Sequence, residues 1–481
     1  GGNYNVFIGD EAGTALTTGD NNVAVGFEAL STEDGNGHNT AIGYRALKTL
    51  NAGSTGLNTA VGKDAGMSST TATYNTLIGA RAGDAIQDGG FNTVVGADAG
   101  TELTSGTNNV FVGREAGKNT TTAIKNVAIG EQALKTNVDG DGSVAIGYES
   151  LKTLEPSDGL SYNVAVGYQA GLSVTTGVRN TLIGSGAGDA ITTGNQNTII
   201  GEGAGTALTD ADYNVVLGRA ALPADTKGSR STAIGYNTLA SQNFTSATDT
   251  YNTAVGYEAG KSITDGQNNT IFGAEAGITI TSAASNTLIG HEAGQLTNSD
   301  KNTFVGRNAG HNITSGAKNS ILGRFNGNEN GLDISTSSNH IVLSDGDGNP
   351  RFYINQNGLP YSPVSYSTTT STGANMYIQS DGAFYRSTSS KRYKNTIEDA
   401  THGLTELLKL RSVTYKGNND GDIILGGLIA EEVHDAGLTE FVQYNDDDEP
   451  DALSYGNMVS LCIKAIQELS AKNDALEARI K

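Results

Sequence analysis

Five glutamates, Glu28, Glu115, Glu258, Glu275 and Glu292, stand at one place in a recurring pattern, two residues after a glycine. Paired carboxylates can divide acid and base duties in glycoside cleavage. That chemistry needs one pair at one level of a molecule, so a row repeated along the chain fits a solvated turn position better. Asp345, Asp347 and Asn349 have the one, three, five spacing of a calcium loop, but Pro350 holds the place of the obligatory glycine and Gln356 that of the closing glutamate. His38, His291, His311, His340, His402 and His434 are scattered without zinc-ligand spacing, and His434 closely follows Glu431 and Glu432. No metal and no cofactor is expected. The one cysteine, Cys462, excludes a disulfide scaffold and a thiolate cluster, and its place in an apolar helical tract predicts a core position. Asp446, Asp447, Asp448 and Glu449 read as a solvated loop. Lipase-type nucleophile, P-loop and dinucleotide fingerprints are all missing.

The elements that must position any chemistry are set by an unusual composition. Of 481 residues, 65 are glycine, 36% are hydrophobic, 17% are charged and none is tryptophan. An average globular enzyme is excluded, and so is collagen, because glycine does not fall at every third place. No apolar run reaches the ~18 residues of a membrane span. A net charge of −21 argues against nucleic acid, whose phosphates demand lysine and arginine. The chain opens inside its repeat at Gly1, so further sequence is expected upstream.

Aligned on Asn-(Thr/Val)-apolar-(Val/Ile)-Gly, the chain gives nineteen copies, from Gly9 to Gly323, with fourteen of eighteen intervals equal to 17 residues. The other four, 19, 20, 21 and 16, are small insertions or a deletion in a surface turn. Such a period predicts a stacked parallel β-solenoid. At ~4.8 Å per coil the rod is about 90 Å long. In Asn252-Thr253-Ala254-Val255-Gly256 the alternation sends Asn252, Ala254 and Gly256 to one side and Thr253 and Val255 to the other. Both sides carry an apolar residue. One fills the coil, and the other calls for a second surface, most simply another copy of the chain. The opening asparagines are expected to stack, each amide bonding the next. A second, weaker strand is predicted seven residues after each glycine, at Leu16, Ile86, Leu103, Val174, Ile191, Leu208, Ile263, Ile280 and Ile313. A further glycine often follows ten residues after the first, as at Gly19, Gly89 and Gly106, where positive φ is expected to turn a corner.

After Gly323 the period fails. Residues 346–388 read as a β-rich neck and linker with a hairpin from Met376 to Gln379 and Ala383 to Arg386. Beyond it the composition becomes that of a small α+β domain, with a cationic cluster at Lys391, Arg392 and Lys394 and a helical tract at Leu404, Leu407, Leu408 and Leu410. Strands are expected at Val413 to Lys416 and Ile423 to Leu425. In the closing helix, Met458, Leu461, Ile463, Ala465, Ile466, Leu469, Leu476 and Ile480 form a helical stripe whose end has coiled-coil spacing.

Three runs here carry a resemblance: Ser387-Thr388-Ser389-Ser390-Lys391-Arg392-Tyr393-Lys394, then Gly427-Leu428-Ile429-Ala430-Glu431-Glu432-Val433, then Tyr455 leading into Ala465-Ile466-Gln467-Glu468-Leu469. Residues 387–481 resemble the intramolecular chaperone domain of phage tail fibres and tailspikes, the peptidase S74 family, which also includes myelin regulatory factor. The repeats are similar to trimeric adhesin heads and fibre shafts. The resemblance implies a homotrimer with a shaft or receptor-binding rod at 1–345, the neck at 346–388 and a self-cleaving chaperone at 389–481. It implies Ser389 as nucleophile, Lys394 as its base, Arg392 and Ser390 in support, and cleavage between Thr388 and Ser389. Ser390 stands where the family has aspartate. The implied lasting function is attachment of a virion to a host-surface glycan or protein. A bacterial trimeric surface adhesin and a glycan-degrading tailspike are the alternatives.

Overall fold

A strand of only three residues cannot stand alone; it persists here because its copies pair with one another. In the computed structural model, which describes residues 2–53, 55–156, 159–363, 376–378, 384–386, 391–418, 422–445 and 447–480, the chain divides into two compact units, Gly1–Thr369 and Thr370–Lys481. The first is a parallel β-solenoid of about 20 coils. Its strands run from Val6–Ile8 to Ile341–Ser344, each lying parallel to the next without slippage, as in Thr76↔Thr93, Leu77↔Val94 and Ile78↔Val95.

The middle strand residue and the asparagine before the strand face inward. Ala24, Leu77, Phe111 and Phe304 are fully buried, and so are most of the asparagines. Burying the ladder amides demands that each be satisfied. Asn75 shows how: its backbone N–H donates to Asn58 Oδ1 at 3.0 Å, and its Nδ2 donates to the same oxygen at 3.3 Å and to the Gly89 carbonyl at 2.8 Å. The chain of amides stitches one edge of every coil to the next. Where the column changes to serine the bond survives, Asn163 N–H donating to Ser143 Oγ at 3.2 Å.

Among the described residues the second strand does not form at the apolar positions that marked it; a short parallel pair, Gly228–Ser229 with Thr248–Asp249, lies further along its coils. The apolar residues that marked it, among them Ile86, Leu103, Val174, Ile191, Leu208, Ile263, Ile280 and Ile313, are core residues on turn backbone, and Leu16 is partly buried. The cause lies in the residues just before. In the coil of Gly79 (φ 138°), Arg81 and Gly83 are left-handed at φ 56° and 57°, bending the chain too sharply for an extended segment. Ile86 N–H then donates back to the Gly83 carbonyl at 3.1 Å. The glycine ten residues on has the expected positive φ at Gly53 (67°), but elsewhere it is needed for another reason. Gly89 has no positive φ; a Cβ there would lie 2.5 Å from the Gly106 carbonyl oxygen of the adjacent coil.

Core volume is shared between two places in each coil. Where the middle strand residue is large, as in Leu77, Phe111, Leu182, Ile199, Ile271, Leu288 and Phe304, the residue four after the strand glycine is itself glycine: Gly83, Gly117, Gly188, Gly205, Gly277, Gly294 and Gly310. A Cβ on Gly117 would meet the Phe111 ring at 2.7 Å. Where the strand residue is alanine, that place can hold leucine instead, as in Ala24 with Leu30, Ala41 with Leu47, Ala128 with Leu134, Ala145 with Leu151 and Ala233 with Leu239, all fully buried. Interiors packed to crystal-like density enforce such exchange.

The sheet does not stop with the last coil. After Ile341–Ser344 the chain reverses, Pro350–Ile354 pairs antiparallel to that strand, and Pro360–Tyr361 pairs antiparallel in turn. Tyr353 and Tyr361 stack across this return with ring centroids 4.8 Å apart.

The second unit contains an antiparallel pair, Met376–Ile378 with Phe384–Arg386, as the sequence suggested. Two more pairs follow, Val413–Tyr415 with Leu425–Gly427 and Val442–Tyr444 with Pro450–Leu453, together with helices α1 (Leu404–Leu407), α2 (Ala430–Asp435) and α3 (Tyr455–Ile480). Its core is small: Val433, Leu438, Phe441 and Val442 pack against Met458 and Leu461 of α3.

Candidate functional site

Of the residues implied in self-cleavage, Thr388, Ser389 and Ser390 lie outside the described residues. Lys391–Tyr393 form one turn of 3-10 helix, and Lys394 follows, its N–H donating to the Lys391 carbonyl at 3.2 Å. Lys391, Arg392 and Lys394 are exposed. The other two motifs do meet. The Tyr455 hydroxyl accepts from the Leu428 N–H at 2.7 Å and donates to the Leu428 carbonyl at 3.2 Å, fastening the start of α3 to the Gly427-Leu428-Ile429 run. A cleft of about 390 Å³ opens beside that junction, lined by Tyr415, Ile429, Glu431, Asp451 and Tyr455 among others. His434 shares a hydrogen bond with the Tyr444 hydroxyl at 2.8 Å.

α3 buries only Met458, Leu461 and Ala465. Val459, Cys462, Ile466, Leu469, Asn473, Leu476 and Ile480 fall at alternating steps of three and four, the a and d places of a heptad, and all are exposed. Ile466 is 66% and Leu476 52% accessible. Cys462, expected in a core, is therefore a surface residue of this unit, because the helix turns its inner face through Met458, Leu461 and Ala465 instead.

On the solenoid the recurrent glutamates are corner clamps. They sit on left-handed backbone, Glu28, Glu115, Glu258, Glu275 and Glu292 having φ between 52° and 57°. Glu28 meets Lys48 at 2.7 Å, Glu258 meets Lys261 at 2.9 Å, and Glu292 accepts from Asn308 at 2.5 Å. Glu115 takes Lys135 at 2.8 Å and Lys118 at 3.1 Å, and these bonds, Lys135 first, lower its pKa to about 2. Asp84 is the opposite case. Burial raises its pKa to about 6, and its Oδ1 has no partner. Asp345, from the imperfect calcium spacing, accepts from the Asn349 N–H at 2.9 Å and from Arg351 Nε at 2.8 Å. Among the described residues no group of three or more acidic, histidine or cysteine side chains could hold a metal ion.

The outward strand face is an apolar surface that runs the length of the solenoid. The fourth residue of the repeat projects from it at every level, with Ile8, Ile42, Ile78, Ile129, Leu217, Phe272, Ile289 and Leu322 all exposed. Aromatic side chains border it: Phe27 stacks on Tyr44, Tyr148 on Tyr168 and Tyr236 on Tyr257, each one coil from the next. Several polar core residues were not foreseen. Glu33, Asn137, Asp225 and Gln242 are fully buried seven residues after their glycines. They clamp irregular turns, Asn137 accepting from Gly140 N–H at 3.1 Å and Asp225 from Phe244 N–H at 2.9 Å. The sequence signal was available, since each stands where other coils carry Ile or Leu and precedes an irregular spacing.

The chain matches no family model, no curated protein and no solved structure.

Proposed function

We propose that the protein is a homotrimeric fibre for attachment to a host surface, a phage tail fibre or tailspike, assembled by its C-terminal unit. The observation that carries this reading is the apolar outward face repeated at every level of the solenoid. A surface of that extent on a chain of such acidity is a protein interface rather than a solvated flank, and a second and third copy of the same rod offer the matching periodicity. The exposed face of α3 supports the same reading. Its heptad carries Asn473 at an a place, a polar device that fixes register, with Lys472 at g and Glu477 at the following e. In a parallel bundle Lys472 of one copy lies beside Glu477 of the next.

Release of the assembling unit follows from the Ser389 and Lys394 reading. Oγ of Ser389 adds to the Thr388 carbonyl carbon while the Lys394 amine takes the hydroxyl proton and returns it to the departing amide nitrogen. Water then hydrolyses the ester and restores the hydroxyl. Lys394 is exposed in the single chain, so the dry surroundings such a base needs come from neighbouring copies, which ties cleavage to assembly. Loss of residues 389–481 leaves a rod unable to unfold by the route it folded.

Full-length chain and its Ser389→Ala and Lys394→Ala versions, expressed side by side, test this. Shortening of the parent alone is expected; uncut bands of equal length from all three reject the cleavage. A stable monomer by light scattering rejects the fibre.

A further inference from the structure

The residue directly after the strand glycine forms a column in which several neighbours one coil apart complement each other. Arg114 pairs with Glu131, and Arg219 reaches Glu202 at 3.2 Å and also lies over the Tyr236 ring at 5.8 Å. Aromatic residues in the column stack on aromatic residues. The end of the rod carries a different arrangement. There His291, Arg307 and Arg324 occupy three successive levels with no carboxylate between them in the column. Arg307 makes no ion pair among the described residues, and the Arg324 guanidinium donates to a neutral acceptor, the Asp347 carbonyl oxygen at 3.1 Å. The next carboxylate, Asp345, is already engaged by Arg351 and Asn349. A cavity of about 440 Å³ opens between the two arginines, lined by Gly306, Arg307, Gly323, Arg324, Gly346 and Asp347.

We propose that this cavity binds a sugar acid, a saccharide unit bearing one carboxylate and several hydroxyls. Arg307 and Arg324 stand on adjacent coils whose backbones are roughly 4.8 Å apart, and guanidinium groups suit the oxygens of a carboxylate. Asp347 lines the same cavity and supplies an acceptor for ring hydroxyls, while repelling ligands of higher negative charge. The glycines leave room for a ring to approach the backbone. The volume falls in the range of small-ligand sites and accommodates one or two sugar rings. This inference rests on the attachment reading and names the chemistry that such attachment would recognise.

Titration calorimetry of the full chain with glucuronic acid and with N-acetylneuraminic acid is the test, with glucose as neutral control. Binding of at least one acid at ~1 mM, and none of glucose, is expected. Arg307→Gln should weaken it about tenfold, Arg307→Gln with Arg324→Gln should abolish it, and Arg114→Gln, a neutralised position, should leave it unchanged. Asp347→Asn should admit inorganic sulfate, which the parent excludes. Absence of binding to both acids, or equal binding by the double variant, overturns the site. So does a changed oligomeric state in the double variant, which assigns the arginines to contacts between copies. Adherence of the parent to host cells is scored separately: adherence without sugar-acid binding removes this site and keeps the attachment reading, whereas no adherence removes the reading itself.

Discussion

Along the solenoid a single chain completes its own interior. Each coil buries its middle strand residue, its asparagine and its turn residue against the coils on either side, and the amide ladder leaves almost no inward polar group unpaired. The C-terminal unit does the reverse. Its core of a few residues occupies one side of α3, while Val459, Ile466, Leu469 and Leu476 on another side are left to water. Rod stability is thus a sum of near-identical neighbour terms, whereas the C-terminal unit leaves an apolar face of its own helix uncovered. The two regions should respond to different insults, and that difference can be broken from either side.

The largest effect is expected inside the rod. Phe111→Ala should cost about 3–5 kcal/mol in chemical denaturation, through lost transfer energy and the cavity left behind. Gly117→Leu alone should also destabilise, since the Phe111 ring occupies that space. Combined, the pair recreates the Ala24 and Leu30 arrangement and should recover more than half of the loss. Additive costs would reject shared core volume. Next comes the helix. Leu469→Lys should dissociate the proposed assembly in sedimentation experiments while leaving the melting of the solenoid within a degree or so, because the buried residues of α3 belong to the C-terminal unit's own core. Mild diamide oxidation offers a finer reading of the same interface. Cys462 at a d place lies beside its counterparts only in parallel alignment, so disulfide-linked dimers are expected on non-reducing gels from the parent and none from Leu469→Lys.

The smallest effects are electrostatic. Asp84 has its pKa raised by burial, so its favourable contribution is present below the ordinary carboxylate value and lost as pH rises through about 6. Asp84→Asn should therefore stabilise at pH 7, by about 1–2 kcal/mol after allowance for partial exposure, and should do little at pH 4. Glu115, lowered by Lys135 and Lys118, behaves oppositely: its contribution is present above the ordinary value and fades only as pH falls through about 2. Glu115→Gln should cost under about 1 kcal/mol at pH 7. Thermal melts of both variants between pH 4 and pH 7 separate the two signs.

Much of the rod was legible because its physics repeats. A 17-residue period, an inward asparagine and a two-sided strand follow from alternation alone, and the buried Asn75, Leu77 and exposed Ile78 lie on the expected sides. The second strand was misread because an apolar residue such as Ile86 reports burial, not backbone shape; the shape is set by Arg81, a non-glycine residue at positive φ that composition does not flag. Cys462 was misplaced for a related reason. Two apolar stripes overlap on α3, and only the packed structure tells which one meets the unit's own core. The Ser389 and Lys394 pair came from resemblance of motifs alone. Of those motifs, the structure brings together Leu428 and Tyr455.

Parallel coils paired edge to edge have no natural stopping place, since the last strand presents to any further strand the same row of N–H and carbonyl groups that it accepted from the one before. The reversal at Pro350–Ile354 removes that invitation. It occupies the final parallel edge with a strand of opposite direction, and the next segment adds Pro360, which lacks a backbone donor. The solenoid sheet therefore has a defined end on this side, where end-to-end growth of rods into longer threads is blocked by two prolines and a change of strand direction.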